Sequence, residues 1–186
     1  GAYTADYTFF MDGGKSSRAK DQATVEGNMT GVAETTTAID PTISFFQEVD
    51  QDGDRSRHVN EVAFLQEQFP KNSSVYAQNY QSAYLFYPFL DPIGQATSGL
   101  VTLAKSDITE AIRYSLPIET NFNKFFDLDR AFSVSHIPVS NGKELIAINV
   151  HLSAYTDDPA VQEAQINKLY DVMTQSYQAG HYVLVG

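Results

Sequence analysis

Several residue types and patterns are absent from this 186-residue chain, and each absence excludes a class of protein or chemistry. There is no cysteine, so disulfides, thiolate nucleophiles and cysteine-type zinc sites are excluded. Tryptophan is also absent. We find no apolar run near the roughly 20 residues that a membrane-spanning helix needs, and we recognise no signal peptide. The chain does not begin with Met, which leaves removal of an upstream segment open.

Positive charge is scarce as well. The chain carries 12 Lys and Arg against 23 Asp and Glu, a formal net charge of −11. Duplex DNA is held by a basic surface, so this composition argues against a nuclease that binds DNA tightly by general attraction. Metal ions could still bridge an acidic site to phosphate. The acidic, cysteine-free composition is compatible with an exported or cell-surface bacterial protein, and a cytoplasmic location stays open as the alternative.

What is present fits a globular domain. Hydrophobic residues make up 42% of the chain and aromatic residues 12%. A chain of this length buries about 70% of its unfolded surface when it folds as one unit. We therefore predict a single domain over residues 1–186.

The stretch that organises the chain is PTISFFQEVD, residues 41–50. Pro41 cannot extend a preceding helix, and the β-branched and aromatic residues after it favour a buried strand. Gln47 and Glu48 stand at the end of that strand, where α/β sheets place their ligand sites. Desolvating a carboxylate there is costly unless it is paired or binds a cation. A solvent-exposed strand end is the alternative interpretation of Glu48.

A second stretch, KELIAINVHLSAY over residues 143–155, predicts another buried strand with His151 at its end. Two strands thus deliver a Glu and a His at their ends, about a hundred residues apart in sequence. A strand-end histidine bonded only to backbone is the alternative interpretation of His151.

Four short motifs in this order resemble the metal-dependent endonuclease/exonuclease/phosphatase family. They are a strand ending in Gln47-Glu48, the strand start Ser98-Gly99 with Lys105 at its end, Asp129-Arg130-Ala131, and Asn149-Val150-His151-Leu152. The resemblance extends over residues 42–186. It implies an α/β (α+β) fold, part of a four-layer sandwich of the deoxyribonuclease I-like type.

The resemblance also implies an activity, the hydrolysis of phosphate esters such as nucleic acids, phospholipids or small phosphoesters. Glu48 would bind Mg²⁺ or Mn²⁺, and His151 would contact the phosphate as an acid/base or transition-state stabiliser. Asn79 and Tyr80 match an Asn-Tyr segment that borders the family's phosphate pocket. With Arg130 they are the candidate substrate-binding residues.

Other motifs of the family have no counterpart here: the N-terminal strand with its metal-site Asn, Gly-Asp-x-Asn, and the late Ser-Asp-His. We therefore expect the chain to be the middle of a longer catalytic domain, weakly active or inactive by itself. A non-catalytic module that keeps the fold and binds a ligand or protein is the alternative.

Two other motifs are weaker evidence for a functional site. DQDGD over residues 50–54 matches positions 1, 3 and 5 of a calcium loop, but Arg55 stands where that loop needs Gly. A capping turn is the preferred interpretation. MDGGKSS over residues 11–17 lacks the first Gly of a phosphate loop, because Phe9 occupies that position. We predict a surface loop there, with a helix cap at Ser16 or Ser17.

Hydrophobic periodicity and turn signals predict the remaining elements. Residues 99–105 and 108–116 are predicted to form one hairpin. Residues 129–139 and 144–150 are predicted to form another around Ser140-Asn141-Gly142. The aromatic residues of 76–89 suggest strand and loop packing, and 121–126 an exposed loop. Predicted strands lie near residues 42–48, 99–105, 108–116, 130–138, 144–150 and 181–185, and predicted helices near 18–39, 55–69 and 158–178.

Overall fold

The computed structural model describes residues 16–86, 89–90, 92–120, 129–153 and 156–186. Within these ranges the chain forms three helices and seven strands that alternate in the manner of an α/β protein. In chain order they are α1 (Gln22–Ile39), β1 (Ile43–Gly53), α2 (Glu61–Gln68), β2 (Ser73–Leu85), β3 (Gly94–Ala104), β4 (Glu110–Leu116), β5 (Arg130–Pro138), β6 (Glu144–Val150), α3 (Pro159–Gln178) and β7 (Tyr182–Val185).

The strands form two sheets. The first has the order β1-β3-β2 and is antiparallel, with β3 in the centre. The second has the order β4-β5-β6-β7, in which only the β6–β7 pair is parallel. Because two sheets and three helices combine in one fold, the predicted α/β sandwich is confirmed.

Three hydrophobic clusters explain why the layers stack as they do. Helices α1 and α2 cover the first sheet, where Val25, Met29 and Leu65 pack with Val101 and Leu103 of β3. Helix α3 covers the second sheet through Leu169, which packs among Phe132, Val134, Ile146 and Ile148.

A third, smaller hydrophobic cluster joins the two sheets. Ala104, Ile137 and Ala147 form it, with Ile43 and Phe45 packed against them. Ala104 belongs to the first sheet and Ile137 and Ala147 to the second, so the two sheets are in contact through this cluster. None of the helices in the described part of the chain is long and apolar enough to cross a membrane.

Most predicted elements are present, but several boundaries were wrong. Helix α1 begins at Gln22, because Asp21 rather than Ser16 or Ser17 caps it and accepts a hydrogen bond from the Thr24 N–H. Helix α2 begins at Glu61 instead of residue 55, because Asn60 caps it. β1 runs on to Gly53, and residues 54–58 form the turn that follows it, so this part of the chain is not helical.

One predicted pairing was also wrong. Residues 99–105 and 108–116 do not form a hairpin, because β3 belongs to the first sheet and β4 to the second. The short connection between them crosses from one sheet to the other. The β5–β6 hairpin is confirmed, with Phe132 opposite Val150. The aromatic stretch near residue 80 lies in β2, and the predicted loop at 121–126 lies outside the described residues.

Candidate functional site

The site is built on an irregularity in β1. Pairing of β1 with β3 is regular up to Phe46–Val101 and resumes at Val49–Gly99, so Gln47 and Glu48 lie in a bulge. Glu48 has φ of +53°, a left-handed conformation that non-glycine residues rarely adopt. Bulges of this kind redirect side chains and are common next to active sites.

The redirected Glu48 side chain meets His151, the residue just after β6. Its Oε1 lies 3.8 Å from His151 Nε2. Both side chains remain accessible, with 47% of Glu48 and 27% of His151 exposed. They line an open depression of about 340 Å³ together with Gln47, Val150 and Gly186. The two residues predicted to share a site are therefore brought together at one rim of the sandwich.

A buried amide lies directly beneath this pair. Asn149 is fully buried, and its Oδ1 accepts a 2.7 Å hydrogen bond from Gln47 Nε2. Its Nδ2 donates to two backbone carbonyls of the first sheet, Phe46 O at 3.2 Å and Val101 O at 3.0 Å. Nδ2 also lies 3.4 Å from Thr102 Oγ1. One side chain thus joins the two sheets at the bulge.

Gln47 and Asn149 were not predicted to act in this way. The available signal was a polar residue inside the apolar run of β6, two positions before His151. Alternation along a strand directs residues two apart to the same face, so Asn149 had to face the other sheet if His151 did.

A buried ion pair fixes β1 on the other side of the bulge. Asp50 is fully buried and accepts hydrogen bonds from Arg55 Nε at 2.9 Å and Arg55 Nη2 at 2.6 Å. The Asp50 N–H donates to Glu61 Oε2 at 2.9 Å, which ties the strand to α2. Burial is the largest single influence on Asp50 and raises its pKa, but the lowering contributions, led by the Arg55 charge and hydrogen bonds, together hold that pKa below its ordinary value.

The same arginine lies near one of the predicted substrate-binding residues. The Arg55 guanidinium is 5.9 Å from the centre of the Tyr80 ring. Ser98 of β3 pairs with Asp50 on one side and with Tyr80 on the other, so the three residues lie side by side across the sheet.

The two other predicted substrate-binding residues are largely buried. Asn79 is 2% exposed, and its Nδ2 has no hydrogen-bond partner in the described part of the chain. Arg130 is 7% exposed and begins β5, opposite Leu116 of β4. The β5–β6 register places Arg130 at the end of the second sheet from which His151 emerges.

The acidic stretch of residues 50–54 does not converge on a common point. Asp50 is bound to Arg55, whereas Asp52 Oδ1 and Asp54 Oδ1 contact the His58 ring at 2.6 and 3.0 Å. The hydrogen bond to Asp52 chiefly raises the pKa of His58, with burial opposing and both carboxylate charges adding to the rise. These carboxylates are thus engaged by protein groups rather than arranged as a calcium loop.

A divalent cation fits the rim only in part. The described residues contain no group of three or more His, Cys, Asp or Glu side chains arranged to hold a metal. Glu48 does offer an accessible carboxylate oxygen, the ligand type that Mg²⁺ prefers. Mg²⁺ retains several waters and is often bound through only one or two carboxylates, so Glu48 has the right chemistry for it. By itself, however, Glu48 supplies only one side chain to the ion.

Comparisons with known proteins support this fold. No protein-family model matches the chain, and no curated protein matches it. Several solved structures, however, match the chain in fold. Human Nocturnin, whose catalytic domain was solved with a bound sulfate anion, matches with a TM-score of 0.61 and 16% identity over 86% of this chain and 55% of that one.

Two further structures match in the same way. An endonuclease/exonuclease/phosphatase from Beutenbergia cavernae has a TM-score of 0.56 and 18% identity, over 77% of this chain and 38% of its own. TDP2 from Caenorhabditis elegans has a TM-score of 0.53 and 18% identity, over 84% and 39%. The chain spans about two fifths to just over half of the length of these structures. It has the fold of the endonuclease/exonuclease/phosphatase family.

Proposed function

We propose that this protein hydrolyses phosphate esters with the help of a divalent metal ion, and that Glu48 and His151 lie at the reacting centre. The observation that carries the proposal is the close approach of the Glu48 and His151 side chains. Two residues far apart in sequence approach to 3.8 Å at an open rim, in a fold shared with a phosphatase and nuclease family. A bulge with a positive φ at Glu48 directs the carboxylate there.

Glu48 would hold Mg²⁺ or Mn²⁺ through its accessible carboxylate. The bound ion would supply electrostatic stabilisation to a phosphoryl oxygen. Further ligands would be waters or groups outside the described residues, because the described ones contain no cluster of three suitable side chains. This chain by itself is therefore expected to bind Mg²⁺ weakly.

His151 would contact the phosphate. An imidazole with one donor and one acceptor nitrogen can give a proton to, or take one from, an oxygen at near-neutral pH. Its Nε2 lies 3.8 Å from Glu48 Oε1, and both side chains line an open depression that a small anion can enter from solvent. Contact with a developing negative charge is the role that most lowers a barrier in phosphoryl chemistry.

Asn79, Tyr80 and Arg130 would bind the rest of the substrate. Tyr80 lies on the first sheet beside the Asp50–Arg55 ion pair, 5.9 Å from the Arg55 guanidinium. The net charge of −11 disfavours a long polyanion held without metal, so a small phosphoester or a phospholipid head group is the better fit. The Nocturnin catalytic domain, which has a similar fold, was solved with a bound sulfate, an anion that resembles phosphate.

The test is hydrolysis of bis(p-nitrophenyl) phosphate by the full natural protein with Mg²⁺ or Mn²⁺. We expect turnover to stop on chelation and return on adding metal. Glu48→Gln and His151→Ala should each lower kcat by about 100-fold or more, the cost typical of losing one transition-state contact.

A matched control comes from a second Glu–His contact at the other end of β6. Glu144 Oε2 lies 3.3 Å from His136 Nδ1, and Glu144 Oε1 lies 3.8 Å from His181 Nε2. Glu144→Gln should leave turnover unchanged. Turnover that survives Glu48→Gln would place the reaction elsewhere. A folded protein without phosphoesterase activity towards diester, phospholipid and nucleotide substrates would favour the non-catalytic binding module instead.

A further inference from the structure

The conformation of the β1 bulge needs a holding interaction. A non-glycine residue at φ of +53° persists only when its surroundings determine it. The ladder between β1 and β3 is interrupted at this point, so strand pairing does not supply the constraint. A side-chain contact across the interruption would oppose relaxation of Gln47 and Glu48 towards extended strand geometry, which would turn the Glu48 carboxylate away from β6.

The Asn149 amide is placed to supply that contact. Its Nδ2 donates to Phe46 O, the carbonyl of the last paired residue before the bulge, and to Val101 O, the carbonyl of its partner in β3. Its Oδ1 accepts from Gln47, the first residue of the bulge. The amide therefore contacts both residues that precede Glu48.

The same side chain is also joined to the other half of the site. Asn149 lies in β6 two residues before His151, so the strand that carries the amide also leads into the imidazole. One buried side chain thus links the end of β6 that precedes His151 to the bulge that carries Glu48 in the other sheet.

We propose that Asn149 and Gln47 are positioning residues, which hold Glu48 in its left-handed conformation and fix its distance from His151. The inference rests on the proposed function, because positioning matters only if these two side chains act together. The proposal predicts that removing the amide changes the backbone conformation of Glu48. If the amide only stabilised the fold, its removal would leave that conformation unchanged.

The experiment compares Gln47→Ala and Asn149→Ala with Ile146→Ala. Gln47 is solvent-accessible, so Gln47→Ala should fold even if Asn149→Ala does not. Ile146 is fully buried in the same strand but packs on the α3 side, the face of β6 opposite to Asn149. It therefore controls for loss of stability alone.

Two readouts are needed. The first is the backbone conformation of Glu48, followed by NMR on labelled protein through the amide-to-Hα coupling and nuclear Overhauser effect, without substrate or metal. The second is kcat and KM for bis(p-nitrophenyl) phosphate in the full natural protein, at a temperature where every variant is folded. We expect Glu48 to lose its positive φ in both amide variants and keep it in Ile146→Ala.

Turnover should follow the geometry. We expect kcat to fall by about 100-fold in Asn149→Ala and roughly tenfold in Gln47→Ala, with KM little changed, because a misplacement of about 1 Å has costs of this size. Ile146→Ala should retain kcat. A relaxed Glu48 with normal kcat would overturn the proposal, and so would lost kcat with Glu48 unmoved. If Glu48→Gln has normal turnover, the proposed function itself is wrong, whatever the NMR result.

Discussion

At the scale of single residues, the ion pair of Asp50 and Arg55 is the most consequential electrostatic feature. Asp50 is fully buried and Arg55 is only 14% exposed. Removing one partner of a buried pair leaves an uncompensated charge, which is far worse than losing an exposed pair.

We therefore predict that Arg55→Met destabilises the fold by about 3–5 kcal/mol in urea unfolding. The control is Lys105→Met, which breaks the exposed Lys105–Asp40 pair of the same 2.6 Å length and should cost at most about 1 kcal/mol. Equal losses would mean that Asp50 is not buried as described. Because its folded pKa is lowered, Asp50 contributes stability above its unfolded pKa and loses it as pH falls through the folded value.

His58 has the opposite dependence on pH. Its contacts with Asp52 and Asp54 raise its pKa above 6.5. The protonated ring therefore contributes stability that is fully present below pH 6.5 and lost as pH rises through the folded pKa. We predict an NMR titration midpoint for the ring above 6.5. The midpoint should return towards the ordinary value in Asp52→Asn. A midpoint at or below 6.5 in the native protein would contradict the contacts.

At the scale of elements, the close packing of β3 against β2 explains why the Ser98-Gly99 motif has a glycine. A Cβ on Gly99 would come 2.6 Å from Tyr76 Cε2 and collide with the Ala77 backbone carbonyl of β2. Both contacts belong to the neighbouring strand, so β2 and β3 could not keep their register.

We predict that Gly99→Ala destabilises the first sheet by about 1–3 kcal/mol, the usual cost of overpacking, as measured by thermal unfolding. Gly142→Ala, in the β5–β6 turn, is the comparison. Its Cβ would meet no atom within 4 Å, but its φ of +79° carries strain of its own. A native-like melting temperature for Gly99→Ala would show that β2 and β3 are further apart than described.

Sequence patterns predicted the elements better than their pairing. The apolar runs of β1 and β6 and the Ser140-Asn141-Gly142 turn specify local structure, so those strands and the β5–β6 hairpin were predicted correctly. The neighbouring β3 and β4 are also joined by a short connection, yet they lie in different sheets. Which sheet a strand joins depends on packing between layers, and a local pattern does not report it.

The site was predictable to a similar extent. Strand ends identified Glu48 and His151, and a resemblance to known motifs joined them. The bulge that turns Glu48 was not predictable, because the amide that contacts it, Asn149, lies a hundred residues away in sequence. The ion pair of Arg55 with Asp50 was likewise not predicted, since nothing in the sequence reveals that Asp50 is buried.

At the scale of the whole molecule, charge limits the partners. With a net charge of −11, the protein should repel polyanions over distances of about a Debye length. We predict no saturable binding of a short DNA duplex at low salt without divalent metal, measured by fluorescence anisotropy. Added Mg²⁺ should permit weak binding. Tight metal-free binding that weakens steeply with salt would instead reveal a basic surface.

The left-handed backbone at Glu48 has a consequence for heat-selected variants. Glycine takes this conformation freely, whereas a side chain there carries roughly 1–2 kcal/mol of strain. Laboratory evolution for thermal tolerance alone should therefore replace Glu48 with glycine early. If Glu48 acts as proposed, the same lineage should lose phosphoester turnover at that step. When survival depends on phosphoester turnover, glutamate should return or never leave, and the two selections would diverge at this one codon.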